Sequence, residues 1–174
     1  GLELDASQQA MIDEAFEWLV SRALEQPQVW VHRDYHSRNL MLCDRGNPGV
    51  LDFQDAVIGA VTYDLVSLLK DCYITWPREQ VEGWVFEYQT KAMAAGISGI
   101  EDKARLLHWF DAMGAQRHIK VLGIFSRLNI RDGKPAYMDD VPRVLDSVLD
   151  ACQRLPQLSR FKQFLGEFVV ARID

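Results

Sequence analysis

The chain should fold as a mostly α domain, α+β overall, with one small β element. Two observations predict this. Apolar residues recur at helical spacing over most of the 174 residues, and the short branched runs that interrupt them cluster between residues 29 and 53 around a turn-rich spacer. A third observation bears on organisation: no repeat, low-complexity tract or long linker divides the sequence, so residues 1–174 read as a single domain.

The elements follow in order. Met11, Ile12, Ala15, Phe16, Leu19, Val20, Ala23 and Leu24 mark an amphipathic helix, with Ser7 as its N-cap and Pro27 as its stop. "VWV" at 29–31 is a short β run, and "NLML" and "VLDF" flank "CDRGNPG" as the two arms of a β-hairpin. Beyond Gly59 the pattern turns helical. Leu65, Leu68, Leu69 and Cys72 form one stripe; Val81, Trp84, Val85 and Tyr88 form a second after the Trp76-Pro77 break. Leu106, Leu107, Phe110 and Met113 form a third, with Ser98 and Glu101 as a capping box ahead of it. Two terminal helices, Val141 to Arg154 and Ser159 to Arg172, are separated by Leu155-Pro156.

Composition narrows the function classes. A net charge of −6 and a pI near 5.2 supply no basic face overall, so nucleic acid and anionic membrane surfaces are not expected partners. A small molecule or a protein is. No apolar run is long enough to cross a bilayer, and "GLELDASQQ" lacks the basic-then-apolar order of a secretion signal. Cys43, Cys72 and Cys152 are odd in number and widely spaced, which fits core-filling thiols kept reduced in a cytoplasm. The start at Gly1 rather than Met suggests a segment of something longer.

The chemistry concentrates in "VHRDYHSRNLML", residues 31–42. Pairing "NLML" with "VLDF" antiparallel brings Asn39 and Asp52 to the same end of a ribbon, although a seven-residue spacer leaves the register open. An amide oxygen and a carboxylate together suit Mg²⁺, a hard ion that takes few protein oxygens and keeps waters and phosphates. Asp34, in the loop just before, could orient a hydroxyl and accept its proton. A rival reading puts His32, Asp34 and His36 on one face of a strand as a zinc or iron site for a hydrolase or oxygenase. That reading leaves Asn39 and Asp52 without a task.

His32, Asp34 and Asn39 spell H-x-D-x-x-x-x-N, and the L-D-F ending at Phe53 follows at hairpin distance, so the pair resembles the catalytic loop and metal aspartate of protein kinases. The variant "HRDYHSRN", with His36 two residues after the aspartate, resembles the aminoglycoside phosphotransferase and choline kinase family more than eukaryotic protein kinases. So does "DFQDAVIGAVTYDLVSLL", which lacks the last glycine of D-F-G. The segment "QRHIKVLGIFSRLNIRDGKPAYMDDVPRVL" is similar to a bacterial subgroup, the anomeric kinases of N-acetylmuramate and N-acetylglucosamine. The resemblance implies the C-terminal catalytic lobe of a protein-kinase-like fold and ATP- and Mg²⁺-dependent transfer to a hydroxyl of a small molecule, an amino sugar first and an aminoglycoside second. It implies Asp34 as catalytic base, Asn39 as a metal ligand that braces the loop, Asp52 as the main Mg²⁺ ligand on the nucleotide phosphates, and His32 as scaffold.

The N-terminal lobe of such folds, with its phosphate-covering loop and lysine, has no counterpart here: neither GxGxxG nor a V-A-x-K-like strand occurs. The chain alone should therefore bind nucleotide poorly and turn over little. A non-catalytic, pseudokinase-like binding module is the alternative, against which the retention of Asp34, Asn39 and Asp52 together speaks. Asp55 and Asp64 read as turn or helix caps, Asp55 equally as a support for the metal site. His108, His118, Arg117, Lys120 and Arg127 belong to a solvated face or, for the histidines, a satisfied core. Trp76, Trp84 and Trp109 read as core rather than sugar-stacking platforms.

Overall fold

The computed structural model describes residues 3–72 and 74–170. Helix α1 (Ala6–Leu24) leads into strand β1 (Gln28–Val31). A 3-10 turn at Ser37–Asn39 then delivers the chain to a hairpin of β2 (Leu40–Met41) and β3 (Gly49–Val50). Strand β4 (Val57–Ala60) returns to pair antiparallel with β1. Five helices follow: α2 (Tyr63–Leu69), α3 (Arg78–Ala94), α4 (Lys103–Asp132), α5 (Val141–Arg154) and α6 (Ser159–Phe168). The mostly α architecture with a small β element is as the sequence predicts.

Helix α4 is the spine. One side carries Ala112 and Ala115 into a core with Met11, Ala15 and Leu19 of α1, Leu145 and Val148 of α5 and Phe161 of α6. The other carries Leu106, Phe110 and Met113 against Val66 and Leu69 of α2 and Val81 and Val85 of α3. This second core reaches Ala60 and Val61, so it fixes the end of β4 on the helical body and thereby the ribbon that flanks the polar loop.

A buried charge cluster joins α2, α3 and α4. Asp111 accepts from Lys70 Nζ at 2.8 Å and from both terminal nitrogens of Arg78, at 2.6 and 3.0 Å, and Arg154 Nε lies 3.6 Å away. Burial works to raise the Asp111 pKa, but the Lys70 ammonium and the Arg78 guanidinium outweigh it and hold the carboxyl below its usual range. Burial lowers the Lys70 pKa, against the pull of Asp111. One turn along α4, Gly114 makes room for this lysine: a Cβ there would meet Lys70 Cδ at 2.7 Å. His118, 4% exposed, donates from Nε2 to the Lys70 carbonyl at 3.0 Å.

Several boundaries differ from those expected. The N-cap of α1 is Asp5, not Ser7: its carboxylate accepts from Gln8 N at 2.8 Å while Gln8 Oε1 accepts from Asp5 N at 3.0 Å, a reciprocal box that a serine two residues on cannot match. Ser98 and Glu101 do not box α4; Glu101 turns back onto Gly99 N, and Asp102 caps the helix through Arg105 N at 3.0 Å. Strand β4 was not expected, and it gives "VWV" its partner. Helix α6, expected to reach Arg172, ends at Phe168, and residues 171–174 lie outside those described. No described helix is long and apolar enough to cross a membrane.

Candidate active site

The polar loop begins where β1 ends, at the buried Val31. Its first two amides are clamped by one carboxylate from the first turn of α2: Asp64 Oδ2 accepts from His32 N at 2.6 Å and Oδ1 from Arg33 N at 3.0 Å. Arg33 has a left-handed backbone, φ 77, a conformation that costs a non-glycine residue about 1 kcal/mol or more. The pair of hydrogen bonds from His32 N and Arg33 N to Asp64 is what holds it. Asp34 follows immediately, its carbonyl accepting from His36 N at 3.0 Å and from Asn39 Nδ2 at 2.9 Å. Its backbone is thus tied from two sides while the residue stays exposed.

Asn39 closes the loop and opens the hairpin. Its carbonyl accepts from Leu51 N at 2.9 Å, one step beyond the Leu40–Val50 and Met41–Gly49 pairs. The register left open by the spacer is therefore the one that faces Asn39 with Leu51 and sets Asp52 next along. His32 Nε2 donates to the Leu51 carbonyl at 2.8 Å, so both backbone polar groups of Leu51 are held from the loop. Asp52 itself has φ 64, and its Oδ1 accepts from Gln54 Nε2 at 2.6 Å. The described non-glycine residues with left-handed backbone are Arg33 and Asp52. Both flank the chemistry the sequence singled out, where sustained strain is characteristic of functional sites.

The donor set fits a hard cation. The Asn39 side-chain nitrogen is committed to Asp34, which leaves its oxygen for an ion, and Asp52 retains Oδ2. The zinc or iron trio does not form. His32 turns inward to Leu51 and packs edge-to-face on Tyr35, with centroids 5.9 Å apart, and no three His, Cys, Asp or Glu side chains among the described residues converge on an ion site.

Other expectations fare differently. Asp55 lies exposed in the turn before β4. Asp64, expected to cap its own helix, instead reaches across to the loop; an acid in a first helical turn can serve either set of amides, and spacing alone does not separate them. His118 is a core histidine. Lys120 and Arg127 are exposed, as a solvated face requires. Trp109 is buried as expected, whereas Trp76 is 41% exposed and meets Trp84 edge-to-face at 5.4 Å, because the Pro77 break lifts it off the helix.

Comparison with known proteins places the chain in a family. Residues 1–105 match the phosphotransferase enzyme family (APH). The N-acetylmuramate/N-acetylglucosamine kinase of Pseudomonas putida is 46% identical over 167 residues, 96% of this chain and 49% of that protein. The protein of the same name from Neisseria meningitidis is 46% identical over 169 residues, 97% of this chain and 50% of its own. That of Pseudomonas aeruginosa is 47% identical over 166 residues, 95% and 49% respectively. The chain spans about half the length of the curated relatives it matches. The clamped loop, Asn39 and Asp52 all fall within the matched residues 1–105, and the chain belongs to the phosphotransferase enzyme family.

Proposed function

We propose that the whole protein transfers the γ-phosphoryl group of ATP to a hydroxyl of an amino sugar, N-acetylmuramate or N-acetylglucosamine, and that this chain is its C-terminal catalytic lobe. Asp34 orients the sugar hydroxyl and accepts its proton as the oxygen bonds to phosphorus and ADP leaves. Asn39 and Asp52 would hold Mg²⁺, which would neutralise charge on the phosphates when bound. His32 is a scaffold, pinning the peptide before Asp52. An N-terminal lobe that covers the nucleotide comes from the remainder of the protein, a reading supported by relatives twice as long. The relatives' names support the acceptor, and the three free cysteines support a reducing cytoplasm as the compartment.

The observation that supports the reading is the chain of hydrogen bonds from Asp64 through the Asp34 loop and Asn39 to Leu51, the residue before Asp52. The test is a kinase assay of the full-length protein against a panel of hexosamines and aminoglycosides, with products weighed by mass spectrometry. Phosphorylated N-acetylated hexosamine is expected. Asp34→Ala should lower kcat by about a thousandfold with nucleotide affinity retained, and Asp52→Ala should chiefly weaken Mg-nucleotide binding. Transfer to aminoglycosides alone, or undiminished turnover by Asp34→Ala, contradicts the proposal.

A further inference from the structure

Helix α2 holds the Asp34 loop from both of its ends. At the start of the loop, Asp64 in the first turn of the helix takes the amides of His32 and Arg33. Farther along, Ser37 opens the 3-10 turn that leads to Asn39, and its Oγ donates to Asp71 Oδ2 at 3.2 Å. Asp71 stands just past Lys70, the C-cap of the same helix. Two carboxylates at opposite ends of one short helix thus grip the chain on either side of Asp34.

What makes Asp71 a firm point is the peptide on each side of it. The Lys70 carbonyl accepts from His118 Nε2 of α4 at 3.0 Å, and the Cys72 carbonyl accepts from Arg143 Nε of α5 at 2.9 Å. The Lys70 ammonium is itself fixed on Asp111. A backbone caught from two helices cannot shift without breaking bonds to both, so the Asp71 carboxylate presents one position to the loop. The loop has the opposite character. Asp34 and Ser37 are exposed, and beyond Asn39 the chain enters a two-stranded hairpin whose Met41 and Leu42 stand in water, an element of marginal stability by itself. A hydrogen bond to a charged acceptor is stronger than one between neutral groups, so the Ser37–Asp71 contact lends the loop the rigidity of the helical body.

We propose that Asp71 is a positioning residue for phosphoryl transfer: through Ser37 it fixes the second half of the Asp34 loop, and so sets where Asp34 meets the attacking hydroxyl, without itself touching substrate. The inference rests on the phosphotransferase reading above and adds the point of the fold from which the loop takes its position. Asp71 also borders the cleft of about 680 Å³ beside the loop, so direct contact with the acceptor is the rival role. The two separate kinetically: a displaced base raises the barrier to transfer while substrates keep their own contacts, whereas a lost contact raises KM.

Steady-state kinetics of the full-length protein with Mg-ATP and N-acetylglucosamine test it. Ser37→Ala should lower kcat about tenfold with KM for the sugar and for ATP within about twofold. In an Asp71→Ala background the same serine change should lower kcat by less than about twofold, because the bond it removes is already gone. Absence of sugar phosphorylation by wild type would refute the phosphotransferase reading itself. With wild type active, three results overturn the positioning role: a Ser37→Ala kcat within about twofold of wild type, a serine effect that stays about tenfold in the Asp71→Ala background, or an Asp71→Ala whose acceptor KM rises about tenfold with kcat unmoved. Ser37 is exposed and its alanine variant leaves the core untouched, so that single variant decides the matter where Asp71→Ala fails to fold.

Discussion

A carboxylate that accepts two backbone amides cannot be imitated by an amide, and Asp64 is such a group: an asparagine there offers one acceptor oxygen and turns a donor toward the other N–H. Asp64→Asn should release the His32–Arg33 segment from its left-handed turn and move Asp34 with it. Misplacement on the ångström scale costs about a hundredfold in rate, so kcat should fall by about that factor with little change in KM for nucleotide, whereas Asp55→Asn, in an exposed turn, should leave both unchanged. His118 poses a different question. Burial, with the charges of Lys70 and Arg117 adding to it, lowers its pKa from 6.5 to about 4, so it is neutral in the fold and takes a proton more readily once unfolded. The stability it contributes is complete above pH 6.5 and is lost as pH falls toward 4. The loss amounts to about 3 kcal/mol. His118→Gln keeps the donor to the Lys70 carbonyl without the titration, so urea unfolding at pH 7 and pH 4.5 should show wild type losing markedly more stability than the variant; parallel losses contradict the assignment. The proposal of Asp34, Asn39 and Asp52 rests on residue order, because a kinase loop needs its acid, amide and metal carboxylate at fixed spacings. The role of Asp64 was not legible in that order, because its partners lie about thirty residues away and are backbone.

Among the elements, the hairpin was readable and the second ribbon was not. Strand β4 contains Gly59 and Ala60, poor strand formers that suggest a break. The structure supplies the reason for the glycine: a Cβ at position 59 would sit 2.8 Å from Val31 Cγ2, so β1 and β4 meet closely only because it is absent. Gly114 answers to the same logic within α4. In a solvent-exposed helix, Gly→Ala stabilises by about 1 kcal/mol. Here the added methyl collides with the stem and ammonium of Lys70 and drives that side chain off Asp111, stranding a buried charge at a cost of about 3 kcal/mol or more. The second effect is larger, so Gly114→Ala should lower stability by about 2 kcal/mol, visible as a reduced denaturation midpoint. Lys70→Met in the same background should restore part of it, since the methionine bends away and carries no charge to strand. A stabilised Gly114→Ala would show that Lys70 relaxes freely, and that the cluster around Asp111 is looser than its geometry.

For the whole molecule, the site faces outward on a thin support. Met41, Leu42, Val50, Leu51 and Phe53 line the hairpin and are all exposed, Leu42 to 95%, an amount of apolar surface that a two-stranded ribbon does not ordinarily leave to water. A nucleotide resting on this edge would bury one face of its base and leave the other in solvent, and its phosphates would meet a cation held by two side-chain oxygens at high dielectric, where each contact is weak. The hydrogen bonds that fix the Asp34 loop, Asn39 and Leu51 thus establish geometry without supplying enclosure, and residues 1–174 carry no phosphate-covering loop motif. Calorimetric titration of the 174-residue chain with Mg-ATP should therefore give a Kd of about 1 mM, or −4 kcal/mol, and the full-length protein should bind at least tenfold more tightly. The hairpin should behave in parallel, with a hydrophobic dye bound by the chain and displaced in the longer protein. Submicromolar affinity in the chain alone would mean that these two ribbons enclose nucleotide by themselves, and the proposed covering lobe would lose its role in binding.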